Sequence, residues 1–325
     1  MMTELKLKTL SIILLTHNRP LQAFEAILSI AAQDNKNFKL IISDNSSSCS
    51  LKNIIDKHTS KFKSINFDYK KRGKVYSAVE HGNLCLNEID TDYFCFFHDD
   101  DLMLPNFVEN FWNVFRKYPD LVSCGMNAYI ENLNVSEGAG SKLFFNDFRL
   151  YLGPVSPKNL IERYFGRHQL GIAPYPSYIY KADSVKDIQF RSDDGKYGDV
   201  TWLLRVAARG PMIWVNSPSM IYRLHDGNDS LSESRKDRLR FLAFLKKNIN
   251  NFGAKIISDY RFFLYKKNLP GLSLSGQHNF KVNILKSYIR YYRMVRWFRF
   301  DQHLQLARKF LIRQIIKFNK LIESL

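Results

Sequence analysis

The sequence predicts an α/β fold: a mostly parallel sheet flanked by helices, with a C-terminal helical extension. Three observations predict it. Strand-length apolar runs alternate with segments of helical spacing over residues 10–129. Those runs are apolar on both faces rather than alternating, as strands covered on both sides are. A short polar cluster follows each of three runs, at what would be the carboxyl ends of parallel strands, where such sheets gather ligands.

The first strand is the apolar run 10–15, and a helix follows at 20–32, with Leu21, Phe24, Ile27, Leu28 and Ala31 at helical spacing. A strand at 38–42, a short helix at 51–58, a strand at 65–69, a helix at 75–89 and a strand at 93–97 continue the alternation. Pro105 opens a helix to about 118, because its missing N–H and fixed φ suit a first turn, and a strand covers 121–129. Strands joined this way need right-handed crossovers. Residues 132–158 lapse into Gly, Ser, Asn and Pro and predict a long loop or lid. Order returns with a helix at 159–165, an aromatic segment at 175–180, a helix at 199–208 ended by Gly210, and short strands at 212–215 and 220–223. Beyond 231 the chain is nearly all helix-compatible, broken at Gly253 and at Pro270-Gly271. The expected division is therefore a domain at 1–230 and a helical tail at 231–325, with no internal repeat.

Composition narrows the function classes. Cys49, Cys85, Cys95 and Cys124 have neither CxxC spacing nor the density of a disulfide framework, so they predict buried small hydrophobes in a reducing compartment and no zinc site. The run at 10–15 is too short for a signal-peptide core, and no stretch approaches the roughly 18 to 20 apolar residues of a span. A cytoplasmic protein that does not cross the membrane is expected. The formal net charge of +17 is concentrated at one end: residues 231–325 hold 21 Lys and Arg against 5 Asp and Glu, net +16, and the first 230 residues hold 27 against 26. A near-neutral body with a cationic tail predicts an anionic partner for the tail.

The polar clusters are 16–19 (Thr-His-Asn-Arg), 44–48 and 99–101, and the topology should bring all three to one site. The last is the most unusual. In "FFHDDDLMLPNF", Asp99, Asp100 and Asp101 follow the aromatic run 93–97, and three adjacent carboxylates repel one another unless water or a cation holds them. A tight carboxylate cluster suits Mg²⁺ or Mn²⁺, hard cations whose remaining coordination is completed by substrate phosphate oxygens.

With these residues in view, the stretch 10–230 resembles the inverting glycosyltransferases of family 2, which have the Rossmann-like GT-A nucleotide-sugar fold. "LSIILLTHNRP" resembles the family's opening strand and first nucleotide loop, "LIISDNSS" its second strand with the acidic residue facing the base, and "FFHDDDLMLPNF" its DxD segment with the trailing proline. The resemblance implies that Thr16, His17, Asn18 and Arg19 line the donor pocket, that Asp44 accepts a hydrogen bond from the base, and that Asp99 lies near the ribose. It implies a divalent metal on Asp100, with Asp101 beside it and His225 of "MIYRLHDGNDS" completing the shell, and phosphate contact from Arg223 and Tyr222. This chain has His98 where the family usually has an aspartate, which leaves the role of His98 open. In "KYGDVTWLLRVAARG", Asp199 stands at a helix start, where an N-capping aspartate is also expected; the resemblance assigns it the catalytic base. Gly73 and Asn83 resemble a family stretch whose spacing differs here, and no role is assigned to them.

The tail has its own logic. As one helix, 302–325 carries Leu304, Leu311, Ile315, Phe318 and Ile322 on one side and Lys309, Arg313, Lys317 and Lys320 on the other. The preceding stretch mixes Tyr288, Tyr291, Tyr292, Trp297 and Phe298 with basic residues, a composition suited to a lipid headgroup region. An anionic membrane surface is the expected partner; packing on the body or on a second copy as a homo-oligomer is compatible with it, and nucleic acid is set aside. The resulting expectation is a metal-dependent inverting transferase working from a nucleotide-diphosphate sugar onto a glycan or lipid-linked glycan hydroxyl in bacterial surface polysaccharide synthesis, peripheral on the cytoplasmic face of the inner membrane. The competing readings are a nucleotidyltransferase, disfavoured because "THNRPLQ" has no phosphate-loop glycine, and an inactive membrane- or RNA-binding module.

Overall fold

The computed structural model describes residues 8–134, 142–145, 155–165, 171–227 and 233–268. The first half runs β1 (Leu10–Thr16), α1 (Pro20–Ala31), β2 (Lys39–Asp44), α2 (Ser50–Lys57), β3 (Asn66–Lys71), α3 (Ala78–Asn87), β4 (Tyr93–His98), β5 (Leu102–Met103) and α4 (Phe107–Lys117). Then come β6 (Ser123–Asn132), β7 (Lys142–Leu143), α5 (Pro157–Phe165), β8 (Tyr178–Lys181), α6 (Ala182–Val185), α7 (Gly198–Ala207) and β9 (Met212–Leu224). Helices α8 (Arg235–Lys247), α9 (Ile249–Phe252) and α10 (Lys255–Asn268) follow. One compact unit spans Met1–Tyr260 and a second Arg261–Leu325. Helices α8 and α9 thus belong to the first unit, and only 261–268 of the second is described. The amphipathic helix expected at 302–325 and the aromatic-basic stretch before it lie outside the described residues. No helix among the described residues is long and apolar enough to cross a membrane.

Nine described strands form one sheet in the order β3-β2-β1-β4-β8-β6-β9-β5, with β7 on β6. The β3-β2-β1-β4 half is parallel, and β6 is parallel to β9; β8, β5 and β7 run antiparallel to their neighbours. The predicted α/β class and mostly parallel sheet therefore hold. The apolar runs are strands because both sheet faces are covered. On β4, Tyr93, Cys95 and Phe97 join Ile12, Leu14, Leu40 and Ile42 against α1 and α4, through Ala23, Ala26, Ile27, Ile30, Phe107, Val108 and Phe111. The alternate residues Phe94 and Phe96 pack on Tyr180 and Phe190, with ring centroids 5.2 and 5.9 Å apart, and Phe190 stacks on Trp202 of α7 at 5.0 Å.

Register positions the site. Thr16 pairs with Asp44, Leu15 with His98 and Lys71 with Asp44, so the loops after β1, β2 and β4 leave the sheet side by side. The two-residue strand β5 pairs Leu102 with Ile221 of β9 and brings residues 220–225 alongside the acidic turn. Two residues carry no periodicity, which is why β5 is absent from the sequence reading. The helix after Pro105 starts later than expected, at Phe107 with Asn106 as its cap, because Leu104 and Pro105 still tie the acidic turn to β9 and α1 through the Leu104 N–H to Ser219 and the Pro105 carbonyl to Asp34.

The strands expected at 212–215 and 220–223 are one strand with a bulge. Met126 pairs with Val215 but Asn127 with Pro218, leaving Asn216 and Ser217 over. Proline cannot donate to a ladder, and the bulge accommodates it; the Asn127 amide fills the gap, donating to Phe145 O and Asn216 Oδ1, both at 2.9 Å. The helix expected at 75–89 begins at Ala78, because Tyr76 is extended and exchanges two hydrogen bonds with the Asn45 side chain. Ser77 and Glu80 then close a capping box. Within the expected loop 132–158, Lys142–Leu143 returns as β7, while 135–141 and 146–154 lie outside the described residues. Cys85, Cys95 and Cys124 are buried as predicted, and Cys49 is exposed, because it stands in the serine-rich turn at the start of α2.

Candidate active site

The turn after β1 is built around Asn18, which has φ 55°, a left-handed conformation that asparagine tolerates better than most residues. Its N–H donates to Ser46 Oγ at 2.8 Å, and its Oδ1 accepts from the Ser47 N–H at 3.0 Å. His17 Nδ1 lies 2.9 Å from the Asn45 carbonyl and donates to it, and Nε2 lies 3.2 Å from Asn18 Nδ2. Thr16 is buried, whereas His17 and Asn18 are exposed. The β1 and β2 loops thus form one polar rim.

Asp44 is wholly inside this rim, with 0% of its surface exposed. Ser46 N–H donates to Oδ1 at 2.9 Å, Lys71 Nζ stands 3.8 Å from the same oxygen, and Tyr69 OH donates to Oδ2. Lys71 and Tyr69 come from β3 and carry no motif. Beneath Asp44 lies a second buried network. Ser43 Oγ accepts from Arg72 Nε at 2.9 Å and from Cys85 Sγ at 3.2 Å, so its own hydrogen goes to His81 Nε2 at 2.6 Å. His81 is therefore held neutral, and burial, reinforced by the Arg72 and His17 charges, lowers its pKa to about 4. Arg72 is in turn clamped by both oxygens of Glu88, at 2.7 and 3.0 Å.

The acidic turn is not solvated: Asp99, Asp100 and Asp101 are all buried. Asp99 accepts the His17 N–H at 3.1 Å. Asp100 Oδ2 is met by Arg19 Nη1 at 2.8 Å and by His225 Nε2 at 3.0 Å. Because the Gly227 N–H donates to His225 Nδ1 at 3.1 Å, Nε2 carries the ring hydrogen and donates to Asp100. Asp101 Oδ1 accepts the Arg223 N–H at 2.9 Å, while Oδ2 is buried without a hydrogen-bond partner. Burial, with the neighbouring Asp100 charge, raises Asp101 well above the carboxylate range, and burial raises Asp99 too. Burial would also raise Asp100, but His98, His225 and Arg19 together hold it below its ordinary value.

Arg223 carries the turn from beneath. Its Nε donates to the Asp100 carbonyl and its Nη1 to Glu25 on α1, so the guanidinium braces the acidic backbone. Glu25 has no sequence signal, since it reads as an exposed helical residue. His98, Asp100 and Asp101 each offer a ligand atom within 4.8 Å of the others. One imidazole nitrogen and two carboxylates, one with an unpartnered buried oxygen, form a donor set that fits a divalent cation. His225 lies outside that set and touches it through Asp100.

Asp199 is the second residue of α7, whose N-cap is Tyr197, so the expected capping aspartate is not one. Its Oδ1 accepts the N–H of Val200 at 2.8 Å. The residue has an exposed surface, yet crowding by protein atoms pushes its carboxyl upward, opposed by the Val200 N–H and the His98 charge. His98 acts electrostatically on both Asp100 and Asp199, and its ring lies 5.7 Å from that of Tyr175. Tyr222 is likewise raised by burial and by the charges of Asp101, Asp100 and Asp199. The charge of His98 thus acts on both the acidic turn and Asp199, 98 residues apart in sequence.

Residues 11–166 match the model of the family described as Glycosyl transferase family 2. No curated protein sequence matches the chain. TarS 1-349 from S. aureus, solved in complex with UDP-GlcNAc, is 14% identical, with a TM-score of 0.59 over 84% of this chain and 77% of that one. The mannosyltransferase PcManGT from Pyrobaculum calidifontis, solved in complex with GDP-Man and Mn2+, is 11% identical, with a TM-score of 0.56 over 94% of this chain and 80% of that one. At these identities the likeness is one of fold.

Proposed function

We propose that this chain, a glycosyltransferase of the GT-A fold whose residues 11–166 match the glycosyl transferase family 2 model, carries out a metal-dependent transfer of a sugar from a nucleotide-diphosphate donor to a glycan hydroxyl, with inversion. The observation that carries the proposal is the donor set of His98, Asp100 and Asp101, whose ligand atoms lie within 4.8 Å of one another, with the His98 charge acting on Asp199 as well. A divalent cation, Mn²⁺ or Mg²⁺, held by Asp100, Asp101 and His98 would neutralise the charge of the departing diphosphate. In this reading Asp199 takes the proton of the acceptor hydroxyl as its oxygen bonds to the anomeric carbon, and the carbon–oxygen bond to the diphosphate breaks with its electron pair going to phosphate. An α-linked donor would yield a β-linkage.

The remaining residues have supporting roles. His225 donates to Asp100 and orients it, and Arg223 holds the turn's backbone. Arg19 contacts Asp99, Asp100 and the Gly227 carbonyl, and is the cation nearest the expected diphosphate. Thr16, His17, Asn18 and Asp99 line the donor side. Asp44, fully buried and held by Tyr69 and Lys71, shapes the base pocket from behind. The donors bound in the two neighbouring structures, UDP-GlcNAc and GDP-Man, support the donor class. A glycan or lipid-linked glycan acceptor, and a peripheral position on a cytoplasmic membrane face, rest on the cationic tail alone.

The test is incubation of the purified protein with Mn²⁺ and a panel of nucleotide sugars, scored by donor hydrolysis and thermal shift. One or more donors should be hydrolysed only with metal. No response to any nucleotide would favour an inactive module instead.

A further inference from the structure

The turn that presents Asp199 is held from outside the sheet. Ser192–Tyr197 is a 3₁₀ segment interrupted at Gly195, which has φ 60° and ψ −141°. That conformation, together with a Cβ position only 2.5 Å from Asp237 Oδ1, excludes any side chain there. Asp237 belongs to α8 and divides its two oxygens between separate tasks. Oδ2 closes the capping box with Ser234, accepting its N–H at 3.0 Å, while Oδ1 accepts the Lys196 N–H at 3.2 Å.

The next residue, Tyr197, is the N-cap position of α7 and is buried among α5, α8 and α10. Its ring stacks on Phe241 at 4.4 Å and lies 5.8 Å from Phe165 and 6.1 Å from Tyr260. Its hydroxyl donates to Glu233, just ahead of α8, and Arg205 on α7 pairs with Asp194 in the same turn. Asp199 follows two residues after Tyr197. Of these contacts, those of Glu233, Asp237 and Phe241 come from beyond the predicted domain boundary.

We propose that α8 is a positioning element of the transfer site: Asp237, through the Lys196 N–H, and Glu233 with Phe241, through Tyr197, fix the turn from which Asp199 meets the acceptor hydroxyl. This rests on Asp199 as the base. The residues act through Asp199 and touch no substrate, so their loss alters the acceptor step and leaves donor binding at the Asp100 side intact.

The experiment uses the full chain and three variants, Asp237→Ala, Asp237→Asn and Tyr197→Phe, with kcat measured per donor-binding site and donor Kd and Tm measured in parallel. Asp237→Ala should lower kcat at least tenfold with donor Kd within twofold, and Asp237→Asn, whose amide oxygen still accepts the Lys196 N–H, should recover most of it. Tyr197→Phe keeps the ring stack and loses only the hydroxyl's hydrogen bonds, to Glu233 and Tyr260, so it should fold normally and lower kcat severalfold at unchanged Kd, keeping the inference testable if Asp237→Ala does not fold. Unchanged kcat per site in Tyr197→Phe and Asp237→Ala, or kcat and donor affinity lost together, would overturn it. Asp199→Asn separates this from the base reading: full turnover in that variant removes the base itself, whatever the α8 variants do.

Discussion

The guanidinium of Arg19 lies 2.8 Å from Asp100 and 3.4 Å from Asp99, between two buried carboxylates that would otherwise repel each other. A second nitrogen of the same side chain donates to the Gly227 carbonyl at 3.0 Å, tying the β1 loop to the end of β9. Arg19→Gln should therefore cost stability, on the order of 1–3 kcal/mol for partners of a buried charge left unsatisfied. Because the freed carboxylates gain most from a cation, added Mn²⁺ should raise Tm more in the variant than in the parent. Equal Mn²⁺ shifts in both proteins would show that Arg19 does not balance the acidic turn.

Asp199→Asn should lower turnover by about 10² to 10⁴, the usual contribution of a general base, with donor affinity unchanged. The carboxyl is raised by crowding, so the parent enzyme needs a pH above the ordinary aspartate range before the base is ionised, and activity should fall earlier on the acid side than an unshifted aspartate allows. A folded-state pKa above the unfolded value also means that the ionised group opposes folding at neutral pH. The variant should thus melt slightly higher at pH 7, and a lower Tm at full donor affinity would count against the assigned environment.

The metal set can be separated from its supports by direct titration. Asp100→Asn should abolish saturable Mn²⁺ binding measured calorimetrically or by the free-ion paramagnetic signal. His98→Ala, which removes a ligand, should weaken Mn²⁺ at least tenfold and more than His225→Ala, which removes the group orienting Asp100. The reverse ranking would return His225 to the metal shell and take His98 out of it.

His81 supplies a pH signature away from the chemistry. Its pKa is lowered from 6.5 to about 4 by burial, by Arg72 and by His17, with Asp44 and Glu88 opposing. The unfolded chain binds the proton first, so the stabilisation is full above pH 6.5 and is lost as pH falls toward 4. Converted at 1.36 kcal/mol per pKa unit, the loss is up to about 3 kcal/mol. Denaturant titrations across that window should show the slope in the parent and lose it in His81→Gln, compared at equal net charge change elsewhere. An identical slope in both would place the acid sensitivity in other groups.

For membrane association, the informative truncation is after Asn268 rather than at 231, since α8 and α9 belong to the compact unit with the sheet. The segment 269–325 still carries most of the excess positive charge. The truncated protein should retain its Tm and nucleotide binding and no longer sediment with anionic vesicles at about 0.15 M salt, where each lost basic residue near the surface is worth roughly 1 kcal/mol. Vesicle binding that survives the truncation would exclude the tail as the anchor.

The sheet and its order of elements were legible in the sequence because burial leaves a local trace. The runs at 10–15, 38–42 and 93–97 are apolar on both faces, and β1, β2 and β4 appear there within two residues of each end. The family resemblance singled out the acidic turn and Asp199 as candidates. Which groups serve them was decided only by tertiary structure. Glu25 reaches Arg223 across 198 residues, Lys71 reaches Asp44 by strand register, the tautomer of His225 is set by Gly227, and Asp237 holds the turn before Asp199 from a helix that reads as part of a tail. The physical reason is that hydrophobic burial is non-directional and written in composition and period, whereas hydrogen bonds and ion pairs require particular atoms within about 3 Å at a particular angle. Those positions are products of the folded chain, and no local pattern encodes them.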